Sequence, residues 1–335
     1  MKFSLRFNND HSVTSYVGWA QLAESYGFDQ FWVSNDLFLR SAPVILTAVA
    51  LATKSIDIGT CILNPYTINP AEIAMFAATL DELSGGRFNL GLSSGASDFL
   101  SWLNIPHDKP RTAVGESLTV LNKLTSGESA AAEGQFLHWS PETYLRFTPQ
   151  RRVPIYIGAM SPRMLEEIGR IADGGLPLLF PPEHYRNVIP HIRAGAEQAN
   201  RKLDNIDVAA CIWCSISEDR DAALDALKEK IAYYGHAMSA TILNELGLIH
   251  ADFAVIEQQA MRENNLEAAK SLVTDQMLQI GIAGTASDLI NRIETLVSMG
   301  VRHISFGPPL GPNIEEAIRA IGQNIIPHFR PQTIY

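Results

Sequence analysis

The chain is poor in cysteine, in charge clusters of one sign and in long apolar runs. Its 335 residues include three cysteines, Cys61, Cys211 and Cys214. So small and odd a number excludes a disulfide-built scaffold and fits a reducing compartment. Cys211 and Cys214 have the CxxC spacing of redox and zinc sites. They lie, however, in Val208-Ala-Ala-Cys-Ile-Trp-Cys-Ser-Ile216, which reads as a buried strand. Residues i and i+3 of a strand point to opposite faces, so two core cysteines are expected. No second Cys or His pair completes a metal site. Acids outnumber bases 36 to 26, for a net charge of −10, and no basic cluster exceeds Arg151-Arg152. A nucleic-acid binder needs a basic face, so that class is set aside. No apolar run reaches the roughly 18 to 20 residues that span a bilayer. The segment from Met1 to Phe7 lacks the apolar stretch and small-residue cleavage site of a secretory leader. A cytoplasmic, membrane-free protein is expected.

What the chain has instead is alternation. Strand patterns at 2–7, 31–34, 56–63, 88–92, 153–157, 174–180, 206–216 and 301–305 alternate with stretches of helical period. The first helical stretch, 11–26, ends at Gly27, and the second starts near Pro43. The third opens with Asn69 as N-cap, Pro70 at N1 and Glu72 at N3, then stops at Ser84-Gly85-Gly86. A helix at 112–124 is followed by a surface excursion over 126–147. Ser161-Pro162 opens another helix, and Pro190 lies inside the next. A long helical segment, 222–278, precedes the last unit. Thr285 and Asp288 cap a helix that ends at Gly300, and Asn313 starts the final one.

Eight such units predict a single-domain α/β protein over 1–335, a (β/α)₈ TIM barrel with a helical insertion before strand eight. A doubly wound open sheet is the alternative, weakened because no GxGxxG turn follows the first strand. A barrel places its site at the C-terminal strand ends. That rule selects 6–8, 34–36, 61–65, 93–97, 158–163, Phe180 and 305–309.

Several of these segments resemble a known family. Leu80-Asp-Glu-Leu-Ser-Gly-Gly-Arg-Phe-Asn-Leu-Gly91 is similar to the helix-to-strand signature of luciferase-like flavin and deazaflavin enzymes. Gly59-Thr-Cys-Ile-Leu-Asn-Pro-Tyr66, Pro154-Ile-Tyr-Ile-Gly-Ala159, Ala172-Asp-Gly174 and Phe306-Gly-Pro-Pro-Leu-Gly-Pro312 resemble the methylenetetrahydromethanopterin reductases more specifically. The resemblance implies a deazaflavin, coenzyme F420, held across the barrel mouth. It implies a bulge with a non-prolyl cis peptide between Cys61 and Ile62 that supports the coenzyme ring. Asn35, Asn64, Ser94, Gly95 and Phe180 would be further coenzyme contacts. Gly158, Ala159, Met160 and Arg163, at a strand end and a helix N-terminus, would take its phosphate. Trp102 and Tyr66 would help wall the pocket.

The same resemblance implies hydride transfer to a methylene-tetrahydropterin or a related C=N compound, in one-carbon metabolism. An acid would assist ring opening. The family's candidate acid is a glutamate at the end of strand one, where this chain has Arg6. Asp36, one residue beyond the family's aspartate, is the replacement. An Asp36 facing Arg6 would have a lowered pKa and be a poor acid. Arg6 would then grip an anionic substrate group, or the two would form a structural ion pair. His107, His138, His184 and His303 are further candidate acids. An FMN-dependent luciferase-like monooxygenase and a non-catalytic flavin-binding protein remain alternatives. A homodimer or higher homo-oligomer is expected, with the helix over 71–80 as its contact.

Overall fold

A computed structural model describes residues 1–330 of the chain. Eight parallel strands form the barrel: β1 (Lys2–Phe7), β2 (Gln30–Val33), β3 (Asp57–Thr60), β4 (Phe88–Leu92), β5 (Ile155–Ala159), β6 (Gly174–Pro177), β7 (Asp207–Ile216) and β8 (His303–Leu310). Each pairs with the next, and β8 pairs with both β7 and β1, so the sheet closes. Along β1 the two-residue period separates two environments. Phe3, Leu5 and Phe7 join the core packed under the helices, while Ser4 and Arg6 face the axis.

The main helices are α1 (Val13–Ser25), α2 (Ala42–Ala52), α3 (Pro70–Ser84), α4 (Pro110–Thr125), α5 (Pro162–Ile171), α6 (Tyr185–Gln198), α7 (Arg220–Tyr234), α8 (Ala286–Ser298) and α9 (Ile314–Ala320). The expected caps are present. Asn69 Oδ1 accepts from the Ala71 N–H at 2.9 Å, and Gly85 closes α3 in the left-handed region at φ 68°. Thr285 and Asp288 form a reciprocal capping box. Among the described residues, no helix is long and apolar enough to cross a membrane.

Several expected boundaries are corrected. The β3 ladder ends at Thr60, not at 63; the Cys61–Ile62 peptide beyond it is cis, and Leu63 bridges Leu92 alone. The β6 ladder ends at Pro177 rather than 180, and Leu178 alone bridges Cys211. In contrast, β8 runs through a cis Pro308–Pro309 bond to Leu310 by shifting register after Gly307. An unanticipated ninth parallel strand, Ile282–Gly284, lies on the outer part of β7. The segment read as one long helix breaks after Tyr234 into short helices. Leu227, Ile231, Phe253 and Met277 pack there with Phe180 and Trp213 in a separate apolar cluster. The run over 71–80, expected as an oligomer contact, buries Ile73, Ala74, Ala77, Ala78 and Leu80 against its own barrel and leaves Met75 exposed.

The barrel floor is a hydrogen-bonded polar layer. Asp207 lies 2.8 Å from Lys2 Nζ, 2.9 Å from the Tyr156 hydroxyl and 3.0 Å from His303 Nδ1. His303 Nε2 reaches Ser4 Oγ at 2.9 Å, and Gln30 links Tyr156 to the Trp32 indole N–H. Burial alone would raise the Asp207 carboxyl, but contacts from His303 and Lys2 outweigh it and hold the group well below the ordinary range. Stability from this carboxylate is therefore complete above about pH 4 and is lost as pH falls toward the depressed value. Asp207→Asn is expected to cost about 2–4 kcal/mol in urea unfolding at neutral pH. Wild-type stability at pH 7, and its loss on acidification, persisting unchanged in the variant would refute this role.

Candidate active site

A cavity of about 560 Å³ opens at the C-terminal ends of the strands. A larger one, about 940 Å³, lies at the opposite end among Met1, Lys2, Asp207 and Arg302, beyond the polar floor. The barrel rule selects the first despite its smaller size. The floor seals it from below.

Its lining is built from strand ends and the loops that follow. Arg6 comes from β1, Asp36 from the loop after β2, Cys61 and Ile62 from the turn after β3, and Ser94 and Gly95 from the loop after β4. Gly158, Ala159 and Met160 come from β5 and its exit, and Phe180 from beyond β6. Phe180 packs on Trp213 at 4.6 Å between ring centroids. Gly158 is tightly set: a Cβ there would fall 3.0 Å from Ile62 Cγ2 and 3.4 Å from Ser93 Cβ. Ser93 Oγ donates to the Gly158 carbonyl at 2.8 Å, tying β4 to β5.

Three of the expected coenzyme contacts lie off the lining. Asn35 Oδ1 accepts from the Ala42 N–H at 3.1 Å and so anchors the start of α2. Asn64 Oδ1 accepts from the N–H groups of Tyr66 and Thr67, an Asx-type turn. Its amide supports Gly95, which sits at φ 77° with no room for a side chain. Arg163 is exposed in the first turn of α5. Tyr66 packs outside the cavity against His107 and Phe136, and Trp102 is exposed against Phe38 and Phe99. None of the four candidate histidines lines the cavity, and His303 belongs to the floor. Cys211 lines the cavity while Cys214 packs outward under the helices, the opposite-face arrangement expected of a strand.

The electrostatics overturn one expectation. Arg6 and Asp36 form no ion pair. Burial raises the Asp36 carboxyl above its ordinary value, and Lys230 and then Arg6 only partly pull it back. The expected depression fails because desolvation exceeds the attraction of an arginine that is not in contact. Asp36 is held by its backbone instead. Its N–H donates to Asn9 Oδ1 at 3.2 Å and its carbonyl accepts from Asn9 Nδ2 at 3.0 Å. Burial pushes the Cys61 thiol up to about 12 and raises Cys211 as well, so neither is a thiolate nucleophile.

Lys230 on α7 was not legible as a site residue. Burial, then the Arg6 charge, lowers its ammonium to about 8 against the opposing pull of Asp10 and Asp36. A lysine in a mixed helix carries no sequence signal of the face it shares with a barrel mouth. Asn9 was likewise missed, because its role is to clamp a loop distant in sequence.

With this geometry in hand, relatives can be placed. The family model described as luciferase-like monooxygenase matches residues 3–303. A 5,10-methylenetetrahydromethanopterin reductase of Archaeoglobus fulgidus is 31% identical over 98% of this chain and all of that one. The enzyme of the same name from Methanolobus tindarius is 33% identical over 97% of this chain and all of its own. The solved structure of the coenzyme F420 dependent tetrahydromethanopterin reductase from Methanopyrus kandleri superposes with a TM-score of 0.93 at 31% identity. It covers 98% of this chain and 99% of that one. Closed barrel and full-length similarity agree, and the chain belongs to the luciferase-like monooxygenase family.

Proposed function

We propose that the protein is a coenzyme F420-dependent oxidoreductase that passes hydride to the C=N carbon of a methylene-tetrahydropterin or a related imine. One observation carries the reading beyond similarity. Among the described residues, the mouth combines apolar walls with one lining carboxyl group, Asp36, whose pKa burial raises. Such a group suits proton donation to a leaving nitrogen.

The residues present fit a flat ring. Ile62, Leu176, Leu178 and Gly158 give an apolar seat, and the missing side chain at Gly158 keeps Ile62 and Ser93 close. Small residues at Ser94 and Gly95 let backbone approach a ligand. The backbone of Gly158–Ser161 and the start of α5 would hold the phosphate, with Arg163 beside it. Asn35 and Asn64 would act indirectly, by fixing the loops that carry Asp36 and Gly95. Bound there, the deazaflavin supplies the hydride. Asp36 presents a carboxyl whose pKa burial raises, Arg6 faces the acceptor, and the polar floor underlies both.

Coenzyme-free protein incubated with F420 or FMN and then gel-filtered is the test. Retention of F420, followed by its consumption with a methylene-tetrahydropterin, is expected. Retention of FMN alone would replace this reading with a flavin monooxygenase. Retention without turnover on any C=N acceptor would leave only a binding protein.

A further inference from the structure

We propose that Arg6 and Lys230 form an anion subsite that takes a carboxylate carried by the hydride acceptor. The inference rests on the hydride-transfer reading and narrows its acceptor to an anionic C=N compound.

Arg6 is only 8% exposed and lines the cavity. Among the described residues no carboxylate stands within ion-pair distance of it. Its Nη2 reaches the Ile212 carbonyl at 3.5 Å, it also donates to the Cys211 sulfur, and its Nε has no partner. Gly307 makes room for the guanidinium, since a Cβ there would fall 2.2 Å from Nη2. Other partly buried arginines are satisfied. Arg87 donates to the carbonyls of Ala50, Thr53, Ile56 and Ser84, Arg151 pairs with Asp81, and Arg292 pairs with Glu183. A buried guanidinium left so is costly unless a ligand completes it.

Lys230, on the helix that follows β7, is the second cation near the mouth. Its Nζ lies 3.8 Å from the Tyr234 ring centroid and 5.4 Å from that of Trp213, and both rings line the cavity. It too has no ion pair among the described residues. The two cations repel each other, which adds to the fall of the Lys230 pKa. Asp36, which lines the cavity, stands out of ion-pair contact with both. An anion between the two cations removes that repulsion.

Topology assigns the anion to the acceptor rather than to the coenzyme. In a closed ring of eight strands, β1 stands opposite β5. Arg6 is at the end of β1, and Lys230 follows β7, whereas the phosphate seat proposed above is at the end of β5. The planar guanidinium fork matches a carboxylate.

The test uses full-length protein, with and without oxidised F420, titrated calorimetrically with pyrrole-2-carboxylate and with neutral pyrrole. Wild type is expected to bind the carboxylate at least about tenfold more tightly than pyrrole. Arg6→Met and Lys230→Met should each abolish that preference, and Arg6→Lys should keep part of it. Lys230→Met lies on a partly exposed helix and stands in if Arg6→Met does not fold. No preference in wild type, or a preference surviving in the variants, overturns the subsite. A tenfold loss of F420 affinity in Arg6→Met with carboxylate binding intact places the anion on the coenzyme and also overturns it. Failure of F420 retention alone would instead refute the coenzyme reading, since the carboxylate preference is measured without it.

Discussion

Asp36→Asn is expected to lower kcat about 100- to 1,000-fold with F420 and a C=N acceptor, the range typical of removing a general acid. Coenzyme affinity should stay within about threefold, because the loop is held through the Asp36 backbone and Asn9, not through the carboxyl. The wild-type pH profile follows from the sign of the shift. An acid must be protonated, and burial moves its pKa upward, so kcat is full below the raised value and falls as pH climbs through it. Arg6 from β1, Lys230 from α7 and Asp10 from the loop after β1 all face this group. The asparagine variant should show a low, flat profile. A variant within threefold of wild type, or one that keeps the falling limb, would remove Asp36 from the chemistry.

Gly195→Ala is expected to destabilise the fold by about 3 kcal/mol or more, the upper range for overpacking. Helices α5 and α6 cross with their backbones almost in contact. A Cβ on Gly195 would fall 1.9 Å from the Glu166 carbonyl oxygen, and one on Gly169 would fall 1.9 Å from that of Ile192. Both obstacles are backbone, so neither helix can yield by turning a side chain. The comparison is Gly18→Ala in α1, where nothing lies within 4 Å. There the better helix former should stabilise by about 0.5–1 kcal/mol. Chemical denaturation of both variants checks the pair. Equal effects, or a silent Gly195→Ala, would mean that the crossing is looser than its geometry. The crossing also sets α5, whose first turn stands at the cavity rim, so the variant should weaken F420 binding before it unfolds.

The barrel was readable because each unit has its own local grammar. Asn69-Pro70 and Thr285 to Asp288 mark helix starts chemically, and the alternation of β1 separates axis from core. Strand ends were less readable where the backbone leaves the ladder. Cys61-Ile62-Leu63 and Leu178-Leu179-Phe180 are apolar enough to look like strand, but side-chain character does not record hydrogen-bond register. The opposite error fell at β8, expected to end at 305 but continuing through Pro308 and Pro309 to Leu310. At the site, strand-end logic reached Arg6, Asp36, Ile62 and Gly158 because barrel topology places them. It could not give the balance between them. Whether an aspartate near an arginine is depressed or raised depends on separation and burial, which spacing does not encode. Lys230 was out of reach for the same reason.

The floor of Asp207, His303, Tyr156 and Gln30 has a kinetic consequence. A barrel stoppered at its base has one doorway, shared by both reactants and both products. Whatever is seated deepest must arrive first and leave last. Turnover is therefore expected to follow an ordered queue, in which a dead-end ligand lodged at the rim traps its predecessor inside.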